Sequence, residues 1–151
     1  MLFFQKTSSF ITEQESQELK KIISAQEQKT SGEIRVCIES RCKYMDAMDR
    51  ARELFYFLKM ENTDLHNAAL IYVAYEDRQF GLFCDVGLLN KIDADYWKNI
   101  TLEMTSLFKE NKNEEGIEYA VKKIGAKLIE HFPFDGDKNK NELPDDIIFG
   151  K

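Results

Sequence analysis

Cysteine is scarce in this chain. The three present, Cys37, Cys42 and Cys84, are odd in number and lack the paired spacing of a zinc site or a redox dithiol. A disulfide framework is thereby disfavoured and reduced thiols are expected. Cys37 and Cys84 fall within predicted strands as small core residues, and Cys42 falls in a loop, where exposure is expected. Long hydrophobic runs are missing too: the longest, residues 68–75, stops well short of the roughly 20 residues that span a bilayer. The opening residues Met1 to Lys6 carry neither a basic segment nor an apolar run of signal length, so no export is expected and the cytoplasm is the expected compartment. Positive charge is in deficit, with 21 Lys and Arg against 27 Asp and Glu and a net charge of -6. Such a field repels phosphate backbones and anionic membrane surfaces, so neither nucleic acid nor a membrane is an expected partner. A divalent cation or a protein partner is compatible with it. Signatures of catalysis are also wanting: there is no P-loop, no phosphatase cysteine or aspartate motif, and no nucleophile elbow to pair with His66 or His131.

What is present is enough apolar residue, 43% of 151, for one ordinary core. Thr12 followed by Glu15 is a capping-box pattern that starts a first helix, with Leu19, Ile22 and Ile23 on one side, ending near Gly32. The period then changes. Ile34, Val36 and Ile38 alternate with Arg35, Cys37 and Glu39, which predicts a strand with one strongly apolar face. Asp46 can cap a second helix carrying Met48, Ala51, Phe55 and Leu58. Residues 68–75 are apolar throughout, as expected of a central strand covered on both faces. A short turn at Glu76 to Gln79 leads into a hairpin partner in which Phe80, Leu82, Cys84 and Val86 alternate with other residues. Asp93 can cap a third long helix with Trp97, Ile100, Met104 and Leu107 in line, and a fourth shows Ile117, Ala120, Val121, Ile124 and Leu128. Residues 1–133 thus read as one domain. Residues 134–151, rich in Asp, Asn, Lys and Pro, read as a tail that is pinned only if Ile147, Ile148 and Phe149 find a groove. Helices alternating with at least three strands predict an α/β sandwich with a small mixed sheet and helices on its faces.

Strand-helix-strand crossovers in one sheet are normally parallel, and the hairpin reverses the third strand. Three points then meet at one end of the sheet: Gly32 and Glu33, His66 and Asn67, and Asp85 to Gly87, with Asp93 close behind. The carboxylates of Glu33, Asp85 and Asp93 with the Asn67 amide form an all-oxygen set, which suits calcium or, with retained waters, magnesium rather than zinc. Gly32 and Gly87 border the same corner and permit tight turns. The same residues also have plain structural uses, Glu33 as an ion-pair partner, Asn67 as a turn former and Asp93 as a cap. Asp135 to Asn141 has the outline of an EF-hand loop, but Lys140 stands where that loop requires Gly.

The series Thr30 to Val36, Ala51 to Phe55, Asn67 ahead of the apolar strand, Glu76-Asp77-Arg78 and Asp85 to Leu88 resembles the TPM domain, the family of the thylakoid-lumen acid-phosphatase-like proteins, over residues 10–132. The ending Asn141 to Asp146 is similar to short bacterial members. The resemblance implies a Rossmann-like three-layer αβα sandwich, calcium binding and, for plant relatives, phosphatase activity. Where many members carry an acidic residue, Asn and Gly ahead of the central strand, this chain has His66, Asn67 and Ala68, which implies one ligand fewer. The sequence therefore supports a weak calcium-binding module first. A metal-assisted acid phosphatase stands second, with Arg35, Arg41, Arg52 and Arg78 as surface candidates for phosphate contact, and a non-catalytic interaction module third.

Overall fold

The computed structural model describes residues 10–136 and 147–150. Thr12 opens the first helix, α1 (Glu13–Glu27), through a reciprocal cap: Glu15 N–H donates to the Thr12 hydroxyl at 3.0 Å, and Thr12 N–H donates to the Glu15 carboxylate at 2.9 Å. The chain reverses into β1 (Glu33–Glu39), crosses through α2 (Ala47–Phe57) and returns as β2 (Ala68–Ala74), parallel to β1. A tight turn then leads into antiparallel β3 (Gln79–Cys84). Next come the single-turn helix α3 (Val86–Leu89), the long helices α4 (Ala94–Lys109) and α5 (Asn113–His131), and β4 (Ile147–Phe149), which lies parallel to β1.

The strands lie in the order β3-β2-β1-β4, a mixed sheet with both hands of pairing. Strand alternation sends Ile34, Val36, Ile38, Ala69 and Ile71 into one core with α1, α4 and α5. The same alternation sends Cys37, Leu70 and Tyr72 into a second core under α2. This is the expected three-layer α/β sandwich. Every residue of β2 is buried, and each fully buried Leu or Ile there contributes about 1.5–3 kcal/mol. Among the described residues no helix is long and apolar enough to cross a membrane.

Four local expectations are revised. All seven residues of β1 are buried rather than one face only; on the second face Cys37 joins the core under α2 and Glu39 is covered by Arg50 of that helix. Val86 leaves the strand to begin α3, since Asp85 accepts from Val86 N–H at 2.8 Å and so caps a helix where alternation alone continues the strand. Cys42 is buried, its N–H donating to Asp77 Oδ2 at 2.8 Å, which ties the loop after β1 to the turn after β2. Met48 is 47% exposed, the core side of α2 being formed by Ala47, Ala51, Leu54 and Phe55. In the segment after Pro133, Ile147 to Phe149 supply the edge strand beside Val36 to Ile38. The rest of the EF-hand-like run, residues 137–141, lies outside the described residues.

Candidate functional site

Register fixes the corner. Glu33 opens β1 directly opposite Ala68 at the start of β2, and Asp85, just past the end of β3, donates its N–H to the Ala68 carbonyl at 3.0 Å. Residues 33, 68 and 85 therefore stand abreast on three adjacent strands. Ile34 and Cys84 point into the α5 side of the sheet and Ala68 into the α2 side, so alternation places Glu33 and Asp85 on the α2 side with Ala68 between them. Two strand spacings separate their backbones by roughly 10 Å. Extended Glu and Asp side chains can narrow that to the ~5 Å at which two carboxylates share one calcium ion. Ala68, between them, carries only a methyl side chain. Glu33 is 3% and Asp85 7% exposed, so both carboxylates sit in a setting where ionised oxygens need compensation.

Asp85 is already engaged. Its Oδ1 caps α3 through Val86 N–H, and its Oδ2 lies 3.1 Å from His66 Nδ1. His66, which sequence patterning leaves as a bystander, is thus a partner of a candidate ligand and holds a left-handed φ of 51° to reach it. No hydroxyl or thiol among the described residues hydrogen-bonds His66, so a nucleophile relay is not assembled there. Gly87 is needed for close approach rather than for an unusual φ: a Cβ there would meet the Leu65 carbonyl oxygen at 2.2 Å and that of His66 at 2.5 Å. Gly32 plays the same part on the other side, where a Cβ would press Leu128 at 2.5 Å and the Asn67 carbonyl oxygen at 3.0 Å.

Asn67 is buried at the same end, but its amide donates to Ser31 Oγ at 3.3 Å and its N–H to Thr63 Oγ1 at 3.4 Å, which ties the loop before β1 to the loop before β2. Asp93 is exposed and caps α4, its Oδ1 accepting from Tyr96 N–H at 2.8 Å; it shares none of the corner's hydrogen bonds. Among the described residues no three His, Cys, Asp or Glu side chains converge as a metal cluster. The fit to a cation accordingly rests on two carboxylates, with the Asn67 amide and nearby carbonyls as further oxygen donors. Two buried carboxylates suit a hard, weakly held, partly hydrated ion and not zinc.

The opposite end of β1 holds a network that sequence patterning does not reveal. Arg50 grips Glu39 with Nε to Oε1 at 3.0 Å and Nη2 to Oε2 at 2.7 Å, and Tyr72 O–H donates to Glu39 Oε1 at 2.7 Å. Burial first, then the hydrogen bond to Glu39 and its charge, push the Tyr72 phenol well above its ordinary range. The hydrogen bonds to Glu39 likewise hold the Arg50 guanidinium more firmly protonated. Arg50 also pairs with Glu53. The only sequence signal was a charged residue at the last position of an apolar strand. Arg35, counted among surface arginines, is buried at 2% exposure on the same α2 side as Glu33. Glu27, near the end of α1, supplies a carboxylate acceptor for Ile34 N–H at 2.9 Å, serving a strand position to which β4 does not extend.

Comparison with known proteins bears on this arrangement. The profile of the TPM domain matches residues 5–127. The NMR structure of the BA42 protein from the psychrophilic bacterium Bizionia argentinensis is similar at 36% identity, with a TM-score of 0.84, covering 96% of this chain and 99% of that one. The N-terminal domain of the cg2496 protein from Corynebacterium glutamicum, at 14% identity and a TM-score of 0.58 over 78% of this chain and 74% of that one, shares the fold. No curated protein sequence matches the chain.

Proposed function

This chain belongs to the TPM domain family, and we propose that it is a weak divalent-cation-binding module whose site is the corner formed by Glu33, Asn67 and Asp85. Calcium is the first choice, because two carboxylates with amide and carbonyl oxygens suit its flexible coordination; magnesium would need several retained waters. The observation that carries the reading is the placement of Glu33 and Asp85 abreast on one face with only Ala68 between them. Prior commitments of Asp85 to His66 and Val86 make the binding weak, since the ion competes with donors already in place. Asp93 is retained as an outer contributor, through water, on the strength of its position at the head of the next helix. Three buried free thiols, Cys37, Cys42 and Cys84, support a cytoplasmic setting.

The test is a titration of isotopically labelled protein with calcium, followed by amide NMR. Saturable shifts at residues 31–34, 66–68 and 84–87, at a Kd in the micromolar to millimolar range of weak sites, are expected. An unmoved corner at millimolar calcium removes the proposal.

A further inference from the structure

At the far end of the sheet from that corner, where β2 ends and β3 begins, an open cleft of about 600 Å³ combines aromatic walls with a cationic rim. Its apolar part is built by four half-buried rings from four parts of the chain. Phe10 stacks on Tyr75 with ring centroids 5.8 Å apart and meets Phe108 edge-on at 5.4 Å; Phe80 meets Phe108 edge-on at 5.4 Å. Arg78 and Lys109 stand at its rim, both exposed. Neither takes part in any ion pair among the described residues.

The chain carries 27 Asp and Glu, yet none of the eleven described residues that line the cleft is acidic. In a protein of net charge -6, this is a local reversal of sign over aromatic walls. Both rim cations stand beside tight turns. Arg78 holds a left-handed φ of 54° in the turn between β2 and β3, and Asn111, two residues past Lys109, holds a φ of 61°. Asn113 donates from its amide to the Phe10 carbonyl at 2.9 Å, which anchors the ring wall to the start of α5. The cleft opens where the carboxyl end of β2 meets the amino end of antiparallel β3. Its volume lies in the range of small-molecule sites.

We propose that this cleft binds a small organic anion with a flat apolar body, the body lying among Phe10, Tyr75, Phe80 and Phe108 and the anionic group meeting Arg78 and Lys109. The site is separate from the cation corner and stands or falls independently of it.

The experiment uses the full chain and three probes: benzoate, benzyl alcohol and acetate, each titrated by amide NMR. Benzoate is expected to give saturable shifts at residues 75, 78, 80 and 109. Benzyl alcohol, which keeps the ring and lacks the charge, and acetate, which keeps the charge and lacks the ring, are each expected to bind roughly fivefold or more weakly, the effect of two partly exposed ion contacts or of one ring. The double variant Arg78→Gln/Lys109→Gln alters only exposed side chains and is expected to fold. It should bind benzoate and benzyl alcohol about equally while keeping the wild-type affinity for benzyl alcohol. Absence of saturable shifts in those segments, equal wild-type affinity for benzoate and benzyl alcohol, or an undiminished benzoate preference in the double variant would each overturn the proposal.

Discussion

Arg50 and Glu39 form a two-point pair, Nε to Oε1 at 3.0 Å and Nη2 to Oε2 at 2.7 Å, across the end of β1, and only the arginine reaches solvent: its side chain is 21% exposed against 3% for the glutamate. Removing the arginine strands a buried carboxylate whose one remaining donor in the network is Tyr72. Arg50→Ala should therefore cost about 2–4 kcal/mol, the partial exposure of Arg50 lowering the usual penalty for a broken buried pair. Glu39→Gln, which keeps an acceptor for Tyr72, should cost less. Urea denaturation of both variants checks the order; equal small losses would mean that the pair is only decorative.

The three thiols should be nearly inert in the native protein. Burial raises the Cys84 thiol to about 12 and pushes Cys37 higher still, while Cys42 is raised by burial and by its contacts with Asp77. A thiol raised in this way stays protonated at neutral pH, and the thiolate is the reactive form. A colorimetric thiol reagent at pH 8 should label almost none of the three within minutes and all of them in denaturant. Rapid labelling of one thiol in the native state would show local opening at that residue.

Acid should favour the packing of α1 against α5. The Glu114 carboxyl is raised above the ordinary glutamate value, chiefly by burial, then by its hydrogen bond with Glu15 and the negative charges of Glu15, Glu118 and Glu18. A value raised on folding means that the contribution is fully present below the unfolded value and is lost as pH rises through the folded one. Glu114→Gln should thus be more stable than wild type at pH 7, by less than about 1 kcal/mol, with the gain vanishing below the carboxylate range. Thermal melts at pH 4 and pH 7 decide; a gain of equal size at both would point to another cause.

Much of this molecule was legible from residue order. Thr12, Asp46 and Asp93 each cap the helix their position implies, because capping is local and needs only the next three residues. The fully apolar run 68–74 is the buried interior strand, and its parallel pairing with β1 brings residues 33, 67 and 85 to one corner. Partnership over long separations was not legible. Glu39 reads only as a residue off the apolar face of its strand, and its partners Arg50, 11 positions on, and Tyr72, 33 positions on, are set by the fold. Nor does the sequence show that Asp85 spends one oxygen on Val86 and the other on His66. The aromatic cleft is not legible in residue order because its rings come from residues 10, 75, 80 and 108, which lie in four different segments.

Hydrolysis of phosphate esters is expected to be absent or very slow. The corner offers carboxylates and no assembled nucleophile, and a net charge of -6 opposes approach of a dianionic ester. Purified protein assayed with a generic phosphomonoester, with and without magnesium or calcium, should stay at background. Metal-dependent turnover that disappears in Asp85→Asn would make the corner an active site.

Calorimetric titration of calcium into wild type, Asp85→Asn and Asp93→Asn, with urea stability measured on the same three preparations, tests the cation corner most directly. Asp85→Asn keeps an acceptor for Val86 N–H and so should remain folded, but should lose calcium affinity by roughly tenfold or more, whereas Asp93→Asn, an exposed cap whose replacement is itself a good cap, should lose only a fewfold. Calcium binding that is undetectable in wild type at millimolar concentration, or that survives unchanged in folded Asp85→Asn, would contradict the assignment.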